Sequence, residues 1–216
     1  MDFQAVAGVG VAVAVAAGLA AVAAATLAAV ARREAGKQTM TLHKLRCLIK
    51  HVWLDASDAK RAIPPDVFKR LTGQVAASEI RHTGQIRICV EASLPTSYLW
   101  RLSSEVNIKQ LIRQRALMLF GKLRVWDTEQ NNGVLIYLLL AERSIEVVAD
   151  RGLIRHVPDA AWQAMTQHMS MAFREGRFED GLSLALDEVS KLLVTHFPAV
   201  HGASRPDELP NEPVLG

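Results

Sequence analysis

One stretch constrains the fold more than any other: Val134-Leu135-Ile136-Tyr137-Leu138-Leu139-Leu140, an apolar run without a polar break. A continuous run this short fits a central strand covered on both faces. Asn131-Asn132-Gly133 before it is a turn signal. Glu142-Arg143 after it leaves room only for a tight connection to Ile145–Ala149. The two segments are therefore read as an antiparallel hairpin.

The remaining segments alternate around that hairpin. Leu42, Leu45, Ile49, Val52 and Trp53 recur at helical spacing among His43, Lys44, Arg46 and Lys50. This basic amphipathic helix is expected to pack its apolar stripe on the domain, with attachment to an anionic membrane as the alternative. Pro64-Pro65 opens a helix buried through Val67, Phe68, Leu71, Val75 and Ile80. Gln85 to Ala92 alternates, which predicts a strand with one face less buried. A long helix is expected from Ser104 to Leu123. Two more follow, one opened by Pro158 with Trp162, Met165, Met169 and Phe173 inward and Gly176 capping it. The last carries Leu182, Leu186, Val189, Leu193 and Phe197. A helical crossover makes the first strand parallel to the central one. The pattern predicts an α/β fold, a small mixed sheet with helices on its faces.

The N-terminus is a separate problem. From Ala5 to Ala31 there is no charge, and almost every residue is Ala, Val, Gly or Leu. A membrane-spanning helix needs about 20 such residues. Arg32, Arg33 and Lys37 follow the run, whereas Asp2 alone precedes it, so a single-pass anchor would leave the domain in the cytoplasm. The absence of positive charge before the run argues against a cleaved signal. A competing reading starts translation at Met40, because alternating Ala, Val and Gly is what glycine codons spell in a shifted frame. The protein is then cytoplasmic and soluble. The expected organisation is residues 1–39 as the apolar segment, 40–198 as the folded domain, and 199–216 as a disordered acidic tail containing Pro206, Pro210 and Pro213.

Charge and cysteine usage exclude several classes. Lys plus Arg number 25 against 22 Asp plus Glu, and the positive residues are dispersed, so no nucleic-acid partner is expected. Cys47 and Cys89 cannot form a disulfide framework and supply no CxxC motif. GxSxG, HExxH, Walker-type and GxGxxG signatures are missing. His156, His168 and His196 are read as surface or boundary residues, and Cys89 as a small buried hydrophobe. Glu91, at the far end of the first strand, is expected to pair with Arg143.

One constellation has metal chemistry. Asp127, Glu129, Asn131 and Asn132 precede the central strand, and Asp150 ends its antiparallel partner. A hairpin puts these positions at the same sheet edge. Their oxygens suit a hard cation, Ca²⁺ or Mg²⁺. Ordinary Asx turn chemistry is the alternative reading of the same residues.

The residues also resemble a family. The run Leu123-Arg124-Val125-Trp126-Asp127-Thr128-Glu129-Gln130-Asn131-Asn132-Gly133-Val134-Leu135-Ile136-Tyr137 is similar to the TPM domain. So are Glu142-Arg143 with Ile145-Glu146-Val147-Val148-Ala149-Asp150-Arg151-Gly152, the Phe173–Leu182 region, and His196-Phe197-Pro198. This domain occurs in thylakoid proteins of photosystem II repair and in many bacterial membrane-associated proteins. The resemblance implies a three-layer α/β/α sandwich, and for some members divalent-cation binding and phosphatase activity. The glycine-rich C-terminal tail and second membrane helix of many bacterial relatives have no counterpart here.

Two functions emerge. The first is a non-catalytic accessory module at the inner membrane, partnered by another protein. The second is a metal-assisted phosphomonoesterase, with Asp127 or Asp150 holding the cation and Arg151 neutralising phosphate.

Overall fold

The hairpin expected around Val134–Leu140 is present: Val134–Leu139 is an inner strand of the sheet, and its antiparallel partner Ser144–Ala149 is an edge. A computed structural model describes residues 42, 44, 45, 47–103, 105–199 and 208–216. The chain divides into two compact units, Met1–Arg46 and Cys47–Gly216. The described residues of the first are helical, and the second holds the sheet. The apolar segment at residues 5–31 lies outside the described residues. Among those described, no helix is long and apolar enough to cross a membrane.

The second unit begins with helical residues 47–52, labelled α1. There follow α2 (Ala56–Ala62), α3 (Pro65–Glu79), β1 (Ile86–Glu91), α4 (Thr96–Leu99), α5 (Ile108–Lys122), β2 (Val134–Leu139) and β3 (Ser144–Ala149). Then come α6 (Arg151–Ile154), α7 (Asp159–Arg174), α8 (Phe178–His196) and β4 (Val214–Leu215). The mixed sheet has the order β3-β2-β1-β4. β1 runs parallel to β2 with Ile86 opposite Val134, and β3 runs antiparallel to β2 with Val134 opposite Ala149. The protein is of the α/β class.

Strand alternation feeds two cores. Ile86, Ile88, Val90, Val134, Ile136, Leu138, Ile145 and Val147 pack with Leu71 of α3, Phe173 of α7 and Leu186 of α8. Cys89, Leu135, Tyr137, Leu139 and Val148 pack with Leu111, Ile112 and Leu119 of α5 on the other face. All six β2 residues are buried. At about 1.5–3 kcal/mol for each fully buried large aliphatic side chain, this strand contributes substantially to both cores.

Several sequence expectations need correction. β1 has no less-buried face, since all six of its residues are buried. Arg87 points among the carbonyls of the C-terminal segment, donating to Pro210 O and, at 3.2 Å, to Glu212 O. That segment, expected within a disordered tail, is ordered over residues 208–216. Leu209 is buried, its N–H donates to Gln85 Oε1, and β4 pairs in parallel with β1 through Cys89 and Val90. The long helix starts at Ile108 because Asn107 and Gln110 form a reciprocal capping box there. Strand β2 ends at Leu139, so the hairpin turn is wider than Glu142-Arg143 alone, closed by Arg143 N–H to Leu140 O at 3.0 Å.

The stripe of α1 is the largest reversal. Ile49, Val52 and Trp53 are exposed, Trp53 at 84%, while Cys47 and His51 face inward. Their polar partner on the hairpin turn, Glu142, decides the orientation.

Candidate functional site

Two glycines bring the predicted metal loop against the end of β3. A Cβ on Gly133 would lie 1.9 Å from Val125 O, and one on Gly152 would lie 2.4 Å from Asn131 O. Neither position admits a side chain without moving backbone. Asp150 N–H donates to Gly133 O and Gly152 N–H to Asn131 O, both at 2.9 Å. The chain directions inferred from the hairpin thus place both loops at one edge.

The five predicted ligands then separate. Asp150 is buried and caps α6, its Oδ1 accepting from Arg151 N–H at 2.6 Å. Its Oδ2 is buried without a hydrogen-bond partner. Asn131, at φ +52°, accepts from Arg151 Nε at 3.0 Å through Oδ1. Asn132 is buried and donates from Nδ2 to Thr83 Oγ1 at 3.0 Å, while its N–H donates to Thr128 Oγ1. Asp127 and Glu129 are exposed. Asp127 lies 4.0 Å from Arg124 Nε, and Glu129 N–H donates to Glu208 Oε2. The fold brings Asn131 and Asp150 together around Arg151 and leaves the other two carboxylates on the loop surface. Turn chemistry accounts for Asn132 and for the Asp150 cap.

The cluster missed by sequence reasoning is Cys47, His51 and Glu142. Among the described residues their ligand atoms all lie within 4.8 Å of one another. Cys47 and His51 share a face of α1 at i, i+4 spacing, which the sequence displays. Glu142 comes from the β2–β3 turn, which the sequence cannot connect to them. Glu142 accepts from Cys47 Sγ at 3.8 Å and from Lys50 Nζ at 3.3 Å. His51 Nε2 makes a poorly aligned 3.3 Å approach to the same carboxylate.

Leu94 N–H decides what this cluster can do. It donates to His51 Nδ1 at 2.9 Å, so the Nδ1 lone pair is occupied and the ring proton of neutral histidine sits on Nε2. A metal-bound histidine instead donates from its second nitrogen. The arrangement is a hydrogen-bonded clamp between α1 and the hairpin turn. Burial, and then the charge of Glu142, push the Cys47 thiol up to about 11. Burial also acts to raise the Glu142 carboxyl, but His51 and Lys50 overcome it and hold it below its ordinary value.

Glu91 forms a third polar group, and not the pair expected for it. Both its oxygens accept from Arg115, and Oε2 also accepts from Tyr137 OH at 2.8 Å. Arg143 instead donates to Arg174 O. Burial and the neighbouring Glu91 charge raise Tyr137 well above the usual phenol range. Cys89 is pushed up to about 12, mainly by burial. Two of the histidines expected at surfaces or boundaries, His156 and His196, stack with ring centroids 5.0 Å apart.

Comparison with known proteins agrees with the fold. The BA42 protein from the psychrophilic bacterium Bizionia argentinensis, solved by NMR, is similar with a TM-score of 0.57 and 25% sequence identity. The match covers 70% of this chain and 93% of that one. Comparison with curated proteins finds no match. The TPM domain family matches residues 56–192, more than half of the chain, from the start of α2 into α8. The chain belongs to the TPM domain family.

Proposed function

We propose that this TPM domain is a non-catalytic accessory module carried at a membrane, where it contacts another protein. The observation that carries the reading is the exposed apolar edge of α1. Ile49 and Val52 of α1 and Trp53 just after it are exposed, and Lys50 of the same helix pairs with Glu142. An apolar face suits a bilayer interface, and the basic residues His43, Lys44 and Arg46 that precede it in the sequence suit an anionic one. The sequence preceding α1 supports the same placement. Its uncharged run at residues 5–31, followed by Arg32, Arg33 and Lys37, would anchor the chain with the domain on the cytoplasmic side of an inner membrane. Both thiols are held protonated, which suits a structural rather than a nucleophilic role.

The test is quenching of tryptophan fluorescence in the full chain by brominated phosphatidylglycerol vesicles, compared with brominated zwitterionic ones. Stronger quenching by the anionic lipid, largely lost in Trp53→Phe, is expected. Equal quenching of parent and variant would overturn the lipid contact.

Divalent-cation binding is proposed at Asp150 and Asn131, with Asp127, Glu129 and Asn132 as further oxygens at that edge. The unpartnered Oδ2 of Asp150 supports it. The Arg151 guanidinium on Asn131 opposes it and would have to swing away. The second functional reading, a metal-assisted phosphomonoesterase, rests on that same buried oxygen beside Arg151. A bound cation would supply Lewis-acid polarisation of a phosphoryl oxygen. Phosphatase assays with Mg²⁺ or Ca²⁺ would establish this reading if activity disappears in Asp127→Asn and Asp150→Asn.

A further inference from the structure

The free edge of β3 is built differently from an ordinary sheet edge. Asp150 N–H bonds to Gly133 O, and hydrogen-bonded pairs alternate along an antiparallel ladder. Glu146 and Val148 therefore turn their backbone groups toward β2. Ile145, Val147 and Ala149 turn theirs outward. Arg113 confirms the phase by donating to Val147 O at 2.8 Å from outside the sheet. Among the described residues no strand pairs with this edge.

These three outward residues form the floor of a cleft of about 360 Å³. Trp162 of α7 stands on one side, and Arg113 of α5 with Glu146 on the other. The indole Nε1–H of Trp162 is buried and has no hydrogen-bond partner. The cleft thus offers outward backbone donors at strand spacing, one spare side-chain donor and two walls of different character. On the α7 side the surface is apolar, since Ile145, Val147 and Ala149 belong to that core. On the α5 side it is the ionic Arg113–Glu146 pair, at 3.3 Å.

We propose that this cleft binds an extended peptide segment of alternating apolar and polar residues, which adds to β3 as a fifth strand. A narrow ligand is required because the edge is recessed between Trp162 and Arg113. A second copy of the domain brings an edge recessed in the same way. Two recessed edges cannot approach to the 4.7–4.9 Å of paired strands. An extended peptide reaches the floor, accepts from the Val147 N–H beside the carbonyl that Arg113 holds, and presents alternate side chains to the two walls. A carbonyl of the incoming chain satisfies the Trp162 indole. This names a partner chemistry for the accessory reading and rests on it, but uses a surface separate from α1.

The probe is an acetylated, amidated peptide, Lys-Thr-Val-Thr-Val-Thr-Val-Lys, added to the full chain and followed by NMR. Saturable shifts of the Ile145, Val147 and Ala149 amides are expected, and a version N-methylated throughout its Thr-Val core should bind at least tenfold more weakly. Trp162→Phe keeps an aromatic ring in the wall and removes the donor, so binding should weaken by about two- to tenfold, the worth of one hydrogen bond. Val147→Pro removes an outward N–H, a change tolerated on an edge strand, and should abolish the shifts. Equal binding of the methylated peptide, or unchanged binding by Trp162→Phe and Val147→Pro, would overturn the proposal. So would a concentration-dependent dimer broken by Val147→Pro and unaffected by the peptide. Loss of the lipid signal in Trp53→Phe bears on the membrane reading alone, so the two failures are distinguishable.

Discussion

The guanidinium of Arg87, on β1 inside the sheet, donates to the backbone carbonyl of Glu212, 125 residues later in the chain. It also donates to Pro210 O. Burial lowers the Arg87 pKa from its ordinary value. A buried cation held through Nη1 by two backbone carbonyls makes the C-terminal segment part of the core. Replacing Arg87 with Met leaves those carbonyls unpaired, and urea denaturation should show a loss of about 2–3 kcal/mol. Deleting residues 208–216 should cost at least as much, because it strands the arginine and removes the β4 pairing. A truncated chain as stable as the parent would refute this.

Why the sequence concealed that segment is physical. Pro206, Pro210 and Pro213 among acidic residues give no periodicity, and a two-residue strand is below any periodic signal. Its partners, Gln85 and Arg87, are polar residues that alternation assigns to an exposed face. By contrast, the β2–β3 hairpin and the apolar stripes of α7 and α8 were legible, because burial on a regular element leaves its period in the sequence. The candidate site was half legible. Chain direction placed Asn131 beside Asp150, but which side chain turns inward depends on local bonds such as Thr128 to Asn132. The stripe of α1 misled because Cys47 and His51 find Glu142 across 91 or more residues, and no pattern within the helix records that.

Thiol chemistry is set by the same clamp. With Cys47 at about 11 and Cys89 at about 12, each carries far less thiolate at neutral pH than an unperturbed cysteine at 9.0. For Cys47 that means about 100-fold less of the reactive form. Iodoacetamide labelling followed by mass spectrometry should therefore be slow at both sites in the native protein. Glu142→Gln removes one of the groups raising Cys47, so labelling there should accelerate while Cys89 stays unchanged. Equal rates at Cys47 in parent and variant would show that burial alone protects it.

Acid should release the clamp in a defined direction. Glu142 has a folded pKa below its unfolded value of 4.5, so the unfolded chain binds the proton more tightly. The stabilisation is present above the unfolded pKa and is lost as pH falls through the folded one. Glu146 works oppositely: burial raises its folded pKa, and its contribution grows more favourable as pH falls. Stability curves measured across this acid range should flatten in Glu142→Gln and steepen in Glu146→Gln. The reverse assignment would contradict the charge geometry around the hairpin turn.

The predicted cation edge yields the sharpest pair of variants. Arg151 places its own positive charge on Asn131 Oδ1, while Asp150 Oδ2 is buried without a partner. A divalent ion and this guanidinium compete for Asn131 Oδ1. Arg151→Ala should therefore tighten Ca²⁺ binding by about tenfold, the effect of removing roughly 1.4 kcal/mol of like-charge opposition. Asp150→Asn should abolish binding, since an amide oxygen supplies no compensating charge. Calorimetric titration of the full chain distinguishes the cases, with Asp127→Asn reporting whether the exposed loop contributes. If Arg151→Ala weakens binding, the arginine orients the ligands rather than blocking them. If no variant alters the titration, Asp150 and Asn131 are a helix cap and a turn, and the cation binds elsewhere.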